Sequence, residues 1–309
     1  MAVSTKVLWH HPIEAWAFDL YANHFSAMPF EMASDAGADW LARLGPLTPT
    51  HKTALRNIRL AYPDESEAWR QELAREQWAQ LGRVAAEYPH LWEMTFKADD
   101  PRTELIHGER LEAVRASGKG AVFISGHFAS FELMPVAIVR REVPCAMTYR
   151  PMNNPLIDQR VTALRIKYGA SEQAAKGREG GMRLLRALKR GHSVALMNDQ
   201  KYNEGVAAPF FGHDAMTADA PTRLALQFGV PLIPLSTLRL ANTRFRVTVH
   251  DPIALDYSTE PDSAARDEAV RQGVFAVNAF IEAQVRAAPE QWFWVHKRWP
   301  NAAWAQAGV

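Results

Sequence analysis

Residues 121–132 read Ala121-Val-Phe-Ile-Ser125-Gly126-His127-Phe-Ala-Ser130-Phe-Glu132. An unbroken apolar run of this kind has the character of a strand buried on both faces. Gly126 ends it and permits a tight turn. That turn puts His127 at the carboxyl end of a strand, where ligands bind in open α/β sheets. Glu132 then falls in the first turn of the next helix. On one continuous helix two groups five apart diverge by about 140°, but a turn between them lets the side chains converge. A carboxylate holding one imidazole nitrogen leaves the other free as a base. That is base-and-orienter logic without a protein nucleophile, so the nucleophile is a substrate hydroxyl. The alternative is structural: His127 caps a helix and Glu132 is solvated. The spacing is not His-Glu-x-x-His, and neither Ser125 nor Ser130 sits in Gly-x-Ser-x-Gly, which disfavours zinc-peptidase chemistry and a serine nucleophile elbow.

Outward from this stretch, β-type runs alternate with helical patterns. The runs are Ala121–Ser125, Cys145–Tyr149, Val194–Met197, Val230–Leu235 and Phe245–His250. Helical spacing recurs over about 131–140, 155–168, 180–190, 217–228 and 263–286. The alternation predicts an α/β sheet layered with helices. Residues before the joint at Lys97–Arg102, which holds Pro101, read as mostly helical. Asp64 and Glu67 resemble a capping box, and Trp69, Leu73, Leu81, Val84, Tyr88, Leu91 and Trp92 follow at helical spacing. The expected division is a helical region over 1–100 and an α/β core over 101–309.

Of 309 residues, 48% are hydrophobic and 22% charged, an ordinary globular composition, and the net charge of +1 lacks the basic excess of a nucleic-acid coat. The single cysteine, Cys145, excludes an intrachain disulfide and any multi-cysteine metal site. No apolar run reaches the roughly 18 residues of a spanning helix. Ile13, Trp16, Ala17, Leu20, Tyr21 and Met28 nevertheless lie near one helical stripe. Tryptophans also gather near both termini: Trp9, Trp16 and Trp40, then Trp292, Trp294, Trp299 and Trp304. The stripe faces either the core or a membrane interface. An acidic polar face speaks against attraction to anionic lipid. His10, His11 and His24 are not read as a metal site, since adjacent histidines diverge on a helix, and no metal is expected.

Gly-His127-x4-Glu132 resembles the His-x4-Asp/Glu signature of glycerolipid-type acyltransferases. Within them, the chain most resembles the bacterial lipid A biosynthesis acyltransferases. The likeness runs from about Arg56 to Trp299 through five ordered blocks: Arg56-Asn-Ile-Arg-Leu-Ala-Tyr-Pro63, Tyr149-Arg-Pro-Met-Asn-Asn-Pro155, Asp199-Gln200, Pro209-Phe-Phe-Gly212 and Glu290-Gln-Trp-Phe-Trp-Val-His-Lys-Arg-Trp299. The resemblance implies a central mixed sheet flanked by helices. It also implies transfer of a fatty acyl group from a thioester, on acyl carrier protein or coenzyme A, to a hydroxyl of a lipid such as a lipid A precursor. No cofactor beyond the acyl thioester is implied, and no nucleic acid. His127 would be the base, Glu132 its partner, and Arg150 a catalytic or substrate-binding group. Asn154, Asp199 and Gln200 would contact substrate. Members of the family typically begin with a spanning helix, where this chain carries Glu14, Asp19, Glu31, Asp35 and Asp39. Attachment is therefore expected to be peripheral, on the cytoplasmic face of a bacterial inner membrane.

Other positions carry two readings each. Arg150 is equally a surface charge, and Asn153-Asn154-Pro155 a helix-start signal. Gly180 and Gly181 open a helix able to receive an anion. Its Arg183, Arg186 and Arg190 face either a lipid phosphate, an acidic carrier protein or solvent. Phe210 and Phe211 line an acyl slot or pack beside a turn. Arg223 opens a helix and binds phosphate on the bolder reading. Three rivals remain open: another lipid acceptor such as a lysophospholipid, glycolipid or aminolipid; a non-catalytic lipid binder; and a thioesterase.

Overall fold

The computed structural model describes residues 7–170, 172–241, 243–261 and 263–309. Four helices come first: α1 (His11–Ser26), α2 (Phe30–Leu44), α3 (Pro49–Ala61) and α4 (Glu67–Glu87). The α/β part follows as β1 (Thr103–Ile106), α5 (Glu109–Ser117), β2 (Val122–Ser125), α6 (Leu133–Arg140), β3 (Cys145–Tyr149), α7 (Pro155–Lys167), β4 (Gln173–Ala175), α8 (Arg178–Lys189) and β5 (Ser193–Met197). It continues through a hairpin of β6 (Val206–Phe210) and β7 (His213–Thr217), then α9 (Ala220–Phe228), β8 (Leu232–Arg239), β9 (Phe245–Val249), α10 (Ala264–Ala287) and α11 (Asn301–Gln306).

Among the described residues the central sheet has seven strands in the order β1-β9-β8-β2-β5-β3-β4. From β8 to β4 all pairs are parallel; β9 runs antiparallel to β8, so the sheet is mixed. β2 is buried along its whole length. Its side chains alternate between two cores. Val122 and Ile124 join Leu184, Ala225, Val277 and Ile281 of α8, α9 and α10. Phe123 joins Leu111, Leu133 and Ile138 of α5 and α6. Each strand of the expected set forms, with ends moved by a few residues: β8 runs from Leu232 to Arg239, and β5 begins at Ser193. β1 and β4 are additional short strands at the two edges. The β6–β7 hairpin takes up the start of the helix expected at 217, which begins at Ala220.

The helical region shares its core with the sheet: Ala54, Ile58 and Leu73 cluster with Val122 and Ile124. An ion pair with a fully buried carboxylate strengthens the join. Arg239 of β8 donates to both oxygens of Glu87 at the end of α4, at 2.5 and 2.8 Å, and the Ser34 hydroxyl donates to the same carboxylate at 2.6 Å. Helix α4 starts two residues later than the Asp64 reading. Ser66 caps it by accepting from the Trp69 amide, and Glu67 pairs with Arg59 instead.

The two tryptophan groups separate. Trp292, Trp294, Trp299 and Trp304 are buried. Trp9, Ile13, Trp16 and Leu20 are exposed, Trp9 by 84% and Trp16 by 63%, while Ala15 and Phe25 of α1 face inward. Ile13, Trp16 and Leu20 of the stripe thus face outward, while Tyr21 and Met28 pack against Phe25, Ala33 and Ala86.

Helices α2 and α4 cross at Gly37 and Gly82. A Cβ on either would collide with the other's carbonyl oxygen. Gly82→Leu is expected to lower stability by about 2–3 kcal/mol in urea unfolding. Gly181→Ala, whose methyl meets nothing within 4 Å, is expected to keep or raise it by up to about 1 kcal/mol.

Candidate active site

The parallel strands β2 and β5 are neighbours, with Ser125 in register with Met197. The loops leaving them therefore bring His127 and Asp199 together. The turn needs Gly126, because a Cβ there would lie 2.6 Å from the Phe128 ring. Asp199 is fully buried and takes three donors. The His127 amide reaches Oδ2 at 2.8 Å, the His127 ring nitrogen Nδ1 donates to Oδ1 at 2.7 Å, and Trp292 Nε1 donates to Oδ2 at 2.8 Å. Burial by itself would lift this carboxyl. The charge and hydrogen bonds of His127 outweigh it and hold Asp199 well below the usual carboxylate range. Burial likewise pulls His127 down, and the charge and hydrogen bond of Asp199, with the charge of Glu132, raise it above its ordinary value.

Aromatic rings frame the imidazole: Phe131 edge-on at 4.7 Å, Phe293 stacked at 5.6 Å and His296 at 5.3 Å between centroids. Burial first, then His127 and Arg150, holds His296 down to about 4. It is therefore neutral at physiological pH and meets Gln200 Nε2 at 3.2 Å.

A cavity of about 470 Å³ opens beside His127 at the carboxyl ends of β5, β3 and β4. Strand alternation divides its wall. Met147 and Ala195 face Met134 and Pro135 of α6 on one side; Thr148 and Leu196 face Gly180 and Leu184 of α8 on the other. The lining is mostly apolar with polar groups such as His127, Arg150 and Gln200 among it, as suits an aliphatic chain with a reactive head.

The expected partnership of His127 with Glu132 is corrected. Glu132 turns to α7, where Arg165 pairs with it and the Tyr168 hydroxyl donates at 2.8 Å. Asp199, read from the sequence as a substrate contact, holds the imidazole instead. The helix begins only at Leu133, so Glu132 leaves the turn toward Arg165. Arg150 and Gln200 do line the cavity. Asn154 does not: its Oδ1 caps α7 through the Leu156 amide, and its Nδ2 donates to the His11 carbonyl and to Glu14. Phe210 and Phe211 are core and turn. Phe210 packs on Trp292 and Trp299, while Phe211 and Gly212, both at positive φ, make the two-residue hairpin turn. Arg223 is not in the cavity wall; it pairs at 2.6 Å with Asp219, which is, and with Asp267. Trp292, Phe293 and His296 were legible only as a resemblance block, with no role attached. The ligand atoms of His10, His11 and Glu14 lie within 4.8 Å of one another, closer than the divergence of adjacent histidines suggests. This group is not part of the cavity wall.

Residues 3–301 match the family model described as bacterial lipid A biosynthesis acyltransferase. Over 252 residues the chain is 27% identical to the lipid A biosynthesis palmitoleoyltransferase of Escherichia coli K12, covering 79% of this chain and 77% of that one. The lipid A biosynthesis lauroyltransferase of the same organism is 27% identical over 251 residues, 80% and 78% of the two chains. Its lipid A biosynthesis myristoyltransferase is 23% identical over 264 residues, 83% and 79%.

The buried Glu132–Arg165 pair has a testable cost. Glu132→Gln leaves the Arg165 charge uncompensated and is expected to lose about 3 kcal/mol in urea unfolding. The paired change Glu132→Leu with Arg165→Met is expected to recover most of that loss.

Proposed function

We propose that this chain, which belongs to the bacterial lipid A biosynthesis acyltransferase family, moves a fatty acyl group from a thioester to a hydroxyl of a lipid A precursor, with His127 as general base. The bidentate seat of His127 on buried Asp199 carries this reading. Asp199 fixes the tautomer with the proton on Nδ1, so Nε2 is the basic nitrogen. In the proposed reaction Nε2 takes the proton of the acceptor hydroxyl as its oxygen attacks the thioester carbonyl. The new C–O bond forms, the tetrahedral intermediate collapses, the C–S bond breaks, and the imidazolium returns the proton to the departing thiolate. Asp199 stabilises the imidazolium between these steps without taking its proton. The acyl chain lies in the cavity against Met134, Met147 and Ala195. The donor is acyl carrier protein or coenzyme A thioester.

The reading is tested with purified wild type, His127→Ala and Asp199→Asn, labelled acyl carrier protein thioester and a lipid A precursor, with products read by thin-layer chromatography. Labelled lipid is expected from wild type, with a loss of at least about 100-fold in both variants. Equal product from all three would remove His127 from the chemistry. Free fatty acid released at the same rate without acceptor would make the protein a thioesterase, and transfer to a lysophospholipid alone would change the acceptor.

The pH dependence has a definite sign. The base form of His127 is lost as pH falls through its pKa, which stands above 6.5 in the protein. The acidic limb of kcat/KM is thus expected above pH 6.5. In Asp199→Asn the larger raising charge is gone and burial outweighs the smaller one of Glu132, so residual activity should show that limb below 6.5.

Action on a lipid calls for contact with a membrane surface, and among the described residues no helix is long and apolar enough to cross one. We assign peripheral contact, at the cytoplasmic face of the inner membrane, to the exposed Trp9, Ile13, Trp16 and Leu20. Of the two acidic groups of α1, one is offset by a cation and the other is turned toward a neutral amide. Asp19 pairs with Arg160 at 2.5 and 2.7 Å and Glu14 accepts from Asn154, both on α7 or its cap. Ile13→Glu with Trp16→Glu is expected to cut binding to phospholipid vesicles roughly tenfold or more in co-sedimentation; unchanged binding would move the contact elsewhere.

A further inference from the structure

The cavity's rim carries cations that the proposed proton transfers do not use. Three adjacent parallel strands, β5, β3 and β4, each deliver one just beyond the carboxyl end. Arg150 follows Tyr149 at the end of β3, and Lys176 follows Ala175 at the end of β4. Tyr149 and Ala175 are register partners, and the Lys176 amide donates to the Tyr149 carbonyl at 2.8 Å, so the two cations leave the sheet side by side. Lys201 follows β5 by four residues, just past Asp199 and Gln200. All three line the cavity that holds His127.

Among the described residues, none of the three is paired with a carboxylate. Lys176 lies 5.7 Å from the Tyr202 ring, a weak contact for an ammonium group. The carboxylates on the same wall are already engaged, Glu132 by Arg165 and Asp219 by Arg223. Elsewhere arginines are mostly tied to acids, as at Arg59, Arg83, Arg102, Arg110 and Arg239. Three like charges brought together at one mouth repel one another in the empty protein. An anion with several oxygens relieves that repulsion and accepts charge-assisted hydrogen bonds from each. A carboxylate offers two such oxygens; a phosphate ester offers three and matches three separate donors.

We propose that Arg150, Lys176 and Lys201 form a subsite for a phosphate group of a substrate whose reacting centre lies at His127. The site rests on the acyl-transfer reading only for which substrate brings the phosphate: the phosphopantetheine arm of the donor thioester, or a phosphorylated sugar headgroup of the acceptor.

Two probe pairs that differ only in the phosphate separate these sources. The first is 4′-phosphopantetheine against pantetheine, and the second glucosamine 1-phosphate against glucosamine. Each is titrated by ligand-observed NMR, to millimolar concentration, into wild type, the Lys176→Ala/Lys201→Ala double variant and its Lys→Arg counterpart, with folding checked by circular dichroism. In wild type one phosphorylated probe is expected to bind at least about tenfold more tightly than its phosphate-free partner. The alanine variant should abolish that difference and the arginine variant keep it. A preference in the first pair names the donor arm, and one in the second the acceptor headgroup. No preference in either pair, no binding of either phosphorylated probe, or a preference that survives in the alanine variant would overturn the subsite. Loss of the preference in a protein that transfers no acyl group would leave the subsite standing and remove the reaction. Intact transfer with no phosphate preference would do the reverse.

Discussion

One buried carboxylate organises the centre of this molecule. Asp199 has no access to water, and an unpaired charge there would be prohibitive. Its oxygens are satisfied from three places: the backbone and ring of His127, and the indole of Trp292. Those groups lie on the loop after β2 and on the segment near the C-terminus, so the ends of the α/β part must meet for the charge to be tolerated. The pairing is reinforced where the Ala129 amide donates to the Gln291 carbonyl at 2.7 Å. The same bonds that make the ion affordable also orient the imidazole to which the proposed proton transfer is assigned.

Much of the architecture was legible because it rests on local pattern. β2, β3 and β5 are apolar runs with turn residues at their ends, and a parallel sheet buried on both faces produces such runs. β1 and β4 escaped because Thr103–Ile106 and Gln173–Ala175 are short and partly polar edge strands, without enough apolar length to register. The hairpin escaped for another reason. Its turn is Phe211-Gly212, where a bulky residue takes a positive φ, a conformation that composition argues against.

The active centre was half legible. His127 could be placed from its glycine and its strand. Its partner could not, because spacing along the chain reports on near neighbours, while Asp199 lies 72 residues away and arrives through the register of β2 with β5. Glu132 had the right spacing and the wrong direction: its carboxylate is drawn off by Arg165 and Tyr168, which only the folded arrangement reveals. Phe210 and Arg223 each carried two readings, and the structure takes the plainer one, since a core contact and a surface ion pair leave no distinguishing mark in sequence.

Helix α7 differs from every neighbour around the cavity in burying none of its residues. It is held by Asp19 on Arg160, Glu132 on Arg165, the Asn154 cap and the Lys167 ammonium over Trp92. Apolar burial is nearly indifferent to electrolyte, but partly exposed ion pairs are screened within a Debye length of about 8 Å at physiological ionic strength, and less at higher salt. The cavity therefore has one wall fastened by a different force from the rest. Rising salt screens the half-exposed Asp19–Arg160 pair and leaves the buried Glu132–Arg165 pair, so that wall keeps its inner fastening as the outer one weakens.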